Sequence, residues 1–272
     1  MLLTGAQAFA ASVSDGTGPN SIIVKGSTVT TTTAAGQDAT AIGTGAQADN
    51  QNSFAAGTNA KATNNNAVSI GTNSTASGPT STAVGQGTVA SHQSATALGD
   101  GAEAINDQAT AIGVSAQASE AGALAVGMTS AASAWNSAAF GSLANASGST
   151  SLAAGYKAAA SNSNSLAVGS SATAKTAGDM AFGQGANAQG RSSVNGTAAN
   201  TITNETYGPA MAQGAFATAT GRNAIAIGNN AKAQGTTADG TVNDVIAIGG
   251  NSTASGNRAV ALGYKATAGA AG

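Results

Sequence analysis

Charge is scarce in this chain: Asp, Glu, Lys and Arg make up 7% of its 272 residues, against about 25% in an ordinary soluble domain. The nine Lys and Arg are scattered and the net charge is −2, which excludes the clustered basic surface that nucleic acid requires. Cysteine is absent, so there is neither a disulfide framework nor a thiolate site. Aromatics amount to 3% and proline to three residues. No run of about 18 apolar residues exists, so no segment reads as a membrane-spanning helix. The chain is nevertheless 42% hydrophobic, which separates it from disordered sequences, usually poor in apolar residues and highly charged. Most of that apolar content is alanine, too small to fill a conventional core.

The beginning stands apart. Met1 to Ala10 reads MLLTGAQAFA, and Ala8-Phe9-Ala10 followed by Ala11 resembles the cleavage end of an export signal without its charged start. The alternative is an arbitrary start in an alanine-rich chain. Residues 1–11 are set aside on either reading. Ser12 to Asp38 lacks the pattern described next. Its Ile22-Ile23-Val24 and Thr28 to Thr33 read as a β-rich cap.

What the chain does have is a period. Gly43, Gly57, Gly71, Gly85, Gly99, Gly113, Gly127, Gly141, Gly155, Gly169 and Gly183 are spaced by 14 residues. Gly214 and Gly228 resume the spacing after a longer gap, and Gly249 and Gly263 after seven extra residues. Five residues after each of these fifteen glycines stands alanine: Ala48, Ala62, Ala76, Ala90, Ala104, Ala118, Ala132, Ala146, Ala160, Ala174 and onward to Ala268. Alanine also fills fourteen of the positions two before the glycine, the exception being Ser69. Ser or Ala prevails four before it, with Asp179 a departure.

The intervening positions are larger. One and three residues before the glycine come Ile42, Val68, Ile70, Val84, Leu98, Ile112, Leu124, Val126, Phe140, Leu166, Val168, Phe182, Ile225, Ile227, Ile246, Ile248, Val260 and Leu262. Alternation with period two is a strand pattern. A helix would be weakened in every fourth turn by glycine, and throughout by Asn, Ser and Thr. Two short strands and two polar turns per 14 residues predict an all-β solenoid whose coils stack like on like. So short a coil encloses little space, so the alanine column faces inward and the larger residues face outward. Left in water, that stripe exceeds what monomers expose, and burying each side chain is worth about 1.5–3 kcal/mol. The stripe therefore predicts self-association with closed cyclic symmetry. This reasoning leaves the number of copies open.

Asn164-Ser165-Leu166-Ala167-Val168-Gly169, Asn223-Ala224-Ile225-Ala226-Ile227-Gly228 and Asn66-Ala67-Val68-Ser69-Ile70-Gly71 resemble the repeat of the YadA-like head of trimeric autotransporter adhesins. That repeat is approximately Asn-Ser-Val-Ala-Ile-Gly, with Ser or Ala three and five residues further on. The resemblance covers about residues 39–268. It implies a homotrimer of left-handed parallel β-rolls, exported to the bacterial cell surface and outer membrane. It further implies attachment to host cells or to matrix proteins of the collagen, fibronectin or laminin class, and autoagglutination. The family's stalk and membrane anchor are not among these residues, so the resemblance implies a head fragment. The outward residues named above become the trimer-interface column and the alanines the coil interior.

On this reading the repeats occupy 39–190, 210–235 and 244–272, the last leading towards a stalk. Residues 191–209 form an inserted loop, either a partner site or a tolerated surface insertion, and 236–243 a second, shorter one. No catalytic, cofactor or metal site is expected. His92 is the only histidine and has no Cys or carboxylate cluster beside it. Asp100, Glu103 and Asp107 read as solvated turn residues rather than an acid–base pair. Gly183-Gln184-Gly185 lacks the following helix of a nucleotide loop. Trp135 and Tyr156 fall at turns, as partner anchors or scattered surface aromatics. A purely structural spacer is the alternative function. An ice-binding face is weaker, because the outward ladder of Thr82, Thr96 and Thr110 gives way to Leu124.

Overall fold

The computed structural model describes residues 12–25, 31–190, 192–202, 209–235 and 244–269. It divides into two compact units, Met1–Gly122 and Ala123–Gly272. Among the described residues every regular element is a strand of two to four residues. The chain is a parallel β-solenoid of stacked coils.

In the first unit a representative coil runs from Gly78 to Ser91. Its longer strand, Thr82–Val84, pairs in parallel with Val68–Ile70 before it and Thr96–Leu98 after it, in the register Thr82↔Thr96, Ala83↔Ala97, Val84↔Leu98. Its shorter strand, Val89–Ala90, pairs likewise with Thr75–Ala76 and Glu103–Ala104. The turns join the ladder too: Gly85 N donates to Ile70 O at 2.8 Å, Gly87 N to Thr72 O at 2.9 Å and Ser94 N to Pro79 O at 2.9 Å. Backbone polar groups are thus met at the corners as well as in the strands. At the start of the unit, Ser12–Asp15 runs antiparallel to Ile22–Lys25, which then pairs in parallel with Thr40–Ile42.

The interior follows from side-chain size. Ala83, Ala90, Ala97 and Ala104 are completely buried. Serine shares the other two inward columns, those of the buried Ala95 and Ala102, because its hydroxyl finds a carbonyl three residues back. Ser81 Oγ donates to Gly78 O at 2.7 Å, and Ser74 Oγ to Gly71 O at 2.9 Å. The repeated glycine has a stricter cause. Gly71 has φ +130°, and a Cβ there would collide with Gly85 O in the next coil.

Regular coils bend at two left-handed residues seven apart, such as Asn66 (φ 55°) and Asn73 (φ 57°). Asparagine tolerates this conformation better than other side-chain-bearing residues, and here it also stacks. Asn52 Nδ2 donates to Asn66 Oδ1 at 3.0 Å, and Asn59 Nδ2 to Asn73 Oδ1 at 3.2 Å. The coil is therefore two seven-residue half-turns, a subdivision that the glycine period conceals.

In the second unit Leu124–Val126, Ala138–Phe140, Leu152–Ala154, Leu166–Val168 and Met180–Phe182 follow the same plan. Residues 191–209, expected as an inserted loop, contain a coil instead. Ser193–Asn195 pairs in parallel with Met180–Phe182 and Met211–Gln213, and Asn200–Ile202 with Thr218–Thr220. Its glycine, Gly196, follows Gly183 by 13 residues rather than 14, so a fixed period passes over it. Val194 and Thr201 stand where alanine is usual, and both are fully buried. Arg191 and residues 203–208 lie outside the described residues, as do 1–11 and the short insertion 236–243.

Asp179 braces the shortened turn. It is fully buried, at a position where the other coils carry Ser or Ala, or in one case Val245. Its Oδ2 accepts from Thr176 N at 2.7 Å, Thr176 Oγ1 at 2.8 Å and Lys175 N at 3.2 Å. Its Oδ1 accepts from Ser192 N, in the next coil, at 2.7 Å. A serine here would donate to a carbonyl; the carboxylate gathers amides from two coils, which satisfies its burial.

Candidate functional site

The longer strands of the coils carry the stripe. In the first unit Ile42, Ile70 and Ile112 are exposed to 37–38%, and Val68, Val84 and Leu98 are half-buried. Strand register stacks Ile70 on Val84, Val84 on Leu98, and sets Thr82, Thr96 and Thr110 in a ladder beside them. In the second unit Phe140, Phe182, Ile248, Val260 and Leu262 are exposed, while Leu124, Val126, Leu166, Val168, Ile225, Ile227 and Ile246 are half-buried. Within the stack, neighbours flank each side chain on two sides and its outer surface stays bare; Val260 and Leu262, on the last described longer strand, have a neighbour on one side only. Ala48, Ala62, Ala76, Ala90, Ala104 and Ala118 in the first unit, and Ala132, Ala146, Ala160 and Ala174 in the second, have no exposed surface.

The stripe is not uniform. In the column just before the glycine, Ala56 separates Ile42 from Ile70, and Ala154 separates Phe140 from Val168. Asn195 and Gln213 then interrupt it between Phe182 and Ile227. Asn195 belongs to the coil that a fixed 14-residue spacing misses, and only the strand register brings it under Phe182.

The opposite sheet is polar. In the first unit Gly45, Gln47, Asn59, Lys61, Asn73 and Thr75, with Thr31, line an open groove of about 560 Å³. The remaining sequence candidates lie at turns. His92 is exposed, and its Nδ1 is 3.1 Å from Ser91 Oγ. Asp107 Oδ1 accepts from Gln93 N at 3.1 Å, as a turn residue does; Asp100 is exposed and Glu103 half-buried. Among the described residues, no three His, Cys, Asp or Glu side chains gather into a metal-binding group. Among the same residues, no helix is long and apolar enough to cross a membrane.

Tyr156 lies at an exposed corner with two residues that the sequence did not single out. Met128, Leu143 and Tyr156, from three successive coils of the second unit, are 56%, 39% and 50% exposed, and Lys157 Nζ lies 5.1 Å from the Tyr156 ring centre. Trp135, 56% exposed, sits at another turn of that unit.

Parallel coils, an alanine interior and an outward apolar stripe define a repeat protein of the β-solenoid class. The model of the YadA head domain repeat matches residues 34–60, 49–74, 76–102, 104–130, 146–172, 160–186, 210–238 and 246–266. These matches cover more than half of the chain, which belongs to the YadA head-domain family. They leave out 187–209, the span of the short-turned coil. Comparison with curated proteins gives no match. The family is a surface-exposed bacterial adhesin domain, non-enzymatic in kind.

Proposed function

We propose that the chain is the head of a bacterial surface adhesin and works as a homotrimer, each copy covering the others' apolar stripes. The number three comes from the family resemblance. The supporting observation is the stripe: Ile42, Ile70 and Ile112 stand in one column with more than a third of their surface bare. Such side chains gain by burial against copies of themselves. The polar sheet and the Asn, Ser and Thr turns then face outward, and host cells or matrix proteins of the collagen, fibronectin or laminin class bind there. Repetition along the coils turns weak single contacts into useful avidity, which also accounts for autoagglutination between cells.

Sedimentation of the chain and of its Ile70→Asp, Ile112→Asp variant tests the assembly. The unsubstituted chain sediments as a trimer and the variant as a single chain or an aggregate. An unchanged mass in the variant overturns the role given to the stripe. Binding of the purified chain to immobilised collagen, fibronectin, laminin and whole cells tests adhesion. An intact trimer that binds none of them is a spacer.

A further inference from the structure

A stack of near-identical coils has a difficulty when it associates through one stripe. Sliding a copy by one coil places almost the same side chains opposite one another and loses contact only at the ends. Something in the stripe must distinguish one level from the next.

In the second unit the column before the glycine reads, through its strand register, Phe140, Ala154, Val168, Phe182, Asn195, Gln213, Ile227, Ile248 and Leu262. Two adjacent coils thus carry amides in an otherwise apolar column. Both side chains are exposed, and neither makes a side-chain hydrogen bond within the described residues. The same coils differ in shape. Ser193 stands between Met180 and Met211 in the neighbouring column, and beside it Pro209, Met211 and Ile225 help to line a largely apolar hollow of about 260 Å³.

We propose that Asn195 and Gln213 are the register key of the homotrimer. Resting on the self-association reading above, the partner is a second copy of this chain. When the copies are level, the amides of one meet the amides of the next and exchange hydrogen bonds. A slip of one coil keeps one amide pair, Gln213 of one copy against Asn195 of the next, but sets the other Asn195 against Phe182 and the other Gln213 against Ile227, burying two amides with no partner. An unpaired buried polar group is costly, and a single buried amide is known to select register in coiled coils. The hollow beside Ser193 adds a shape that only one level fills.

Because the chain contains no cysteine, one introduced thiol reports on neighbouring copies. Chains carrying Ile227→Cys and chains carrying Ile248→Cys, one coil apart, are unfolded, mixed, refolded together and oxidised. Same-residue disulfides exceed 227–248 disulfides by at least about tenfold when the key is intact. In the Asn195→Val, Gln213→Val background the assembly persists but 227–248 disulfides rise several-fold. An Asn195→Gln, Gln213→Asn background, which keeps amides at both levels, restores the single register. Should the valine chain aggregate, Asn195→Ala, Gln213→Ala asks the same question without adding apolar surface. A 227–248 yield that is already high in the unsubstituted background, or unmoved by valine or alanine in an intact assembly, overturns the key alone. A chain that sediments as a monomer overturns both the key and the self-association on which it rests.

Discussion

The coil of Gly85 and the coil of Gly196 solve the same closure problem with different interiors. The first encloses Ser81, Ala83, Thr88 and Ala90; the second encloses Ser192, Val194, Ala199 and Thr201, all buried. In the first, hydroxyls bond locally: Ser81 Oγ to Gly78 O at 2.7 Å, and Thr88 Oγ1 to Gly85 O at 3.0 Å. In the second, Ser192 Oγ also bonds locally, to Gln189 O at 2.7 Å, but further bonds reach between coils. Gln189 N donates to Thr201 Oγ1 at 3.1 Å, and Ser192 N to Asp179 Oδ1 at 2.7 Å. The interior side chains of the regular coil thus bond within their own turns, and regular coils bond to their neighbours through the ladder and the asparagine stacks at the corners. The shortened coil depends on side chains supplied by its neighbours, so it is where single substitutions propagate furthest.

The largest effect that separates the two coils is expected at Asp179. Asp179→Ala removes the carboxylate that accepts from Thr176 N, Thr176 Oγ1, Lys175 N and Ser192 N in the interior and lowers stability by about 4 kcal/mol, while Ser81→Ala costs about 1 kcal/mol. Denaturant unfolding of both variants checks this; equal losses would erase the contrast. Next come reciprocal swaps of interior volume. Ala97→Val overfills a regular coil, and Val194→Ala empties the shortened one, each costing about 2 kcal/mol. A neutral result for either swap means that the two interiors are interchangeable.

The smallest effects concern the turns. Leu143 is held at φ 59° where other coils place Asn59, Asn73, Asn230 or Asn251, and left-handed backbone disfavours such a side chain by about 1 kcal/mol. Leu143→Asn should raise stability by about that amount. Asn73→Leu should lower it by slightly more, since the bond from Asn59 Nδ2 to Asn73 Oδ1 at 3.2 Å is lost too. Melting temperatures of the two variants moving in the same direction would break the comparison.

Much of the fold is legible in the chain before any coordinates. Alternation of Ala97 with Leu98, repeated at a fixed spacing, places successive side chains on opposite faces. The narrowness of a 14-residue coil then assigns the small ones to the interior. Asp179 was visible only as a departure; its four donors could not be read, because Ser192 approaches it through the stacking of a coil hidden by its 13-residue spacing. Tyr156 was legible as a turn residue, but Met128 and Leu143 beside it were not, since they occupy neighbouring turn positions that carry no strand periodicity.

The sequence by itself determined the solenoid, the inward alanines and the family, because strand alternation and repeat stacking are local rules applied over and over. Tertiary structure alone decided that 192–202 is a coil, that Asp179 ties two coils together, and that Asn195 lies beneath Phe182. Those facts depend on where backbone hydrogen bonds close in space, and a turn can lose a residue without the ladder losing its register.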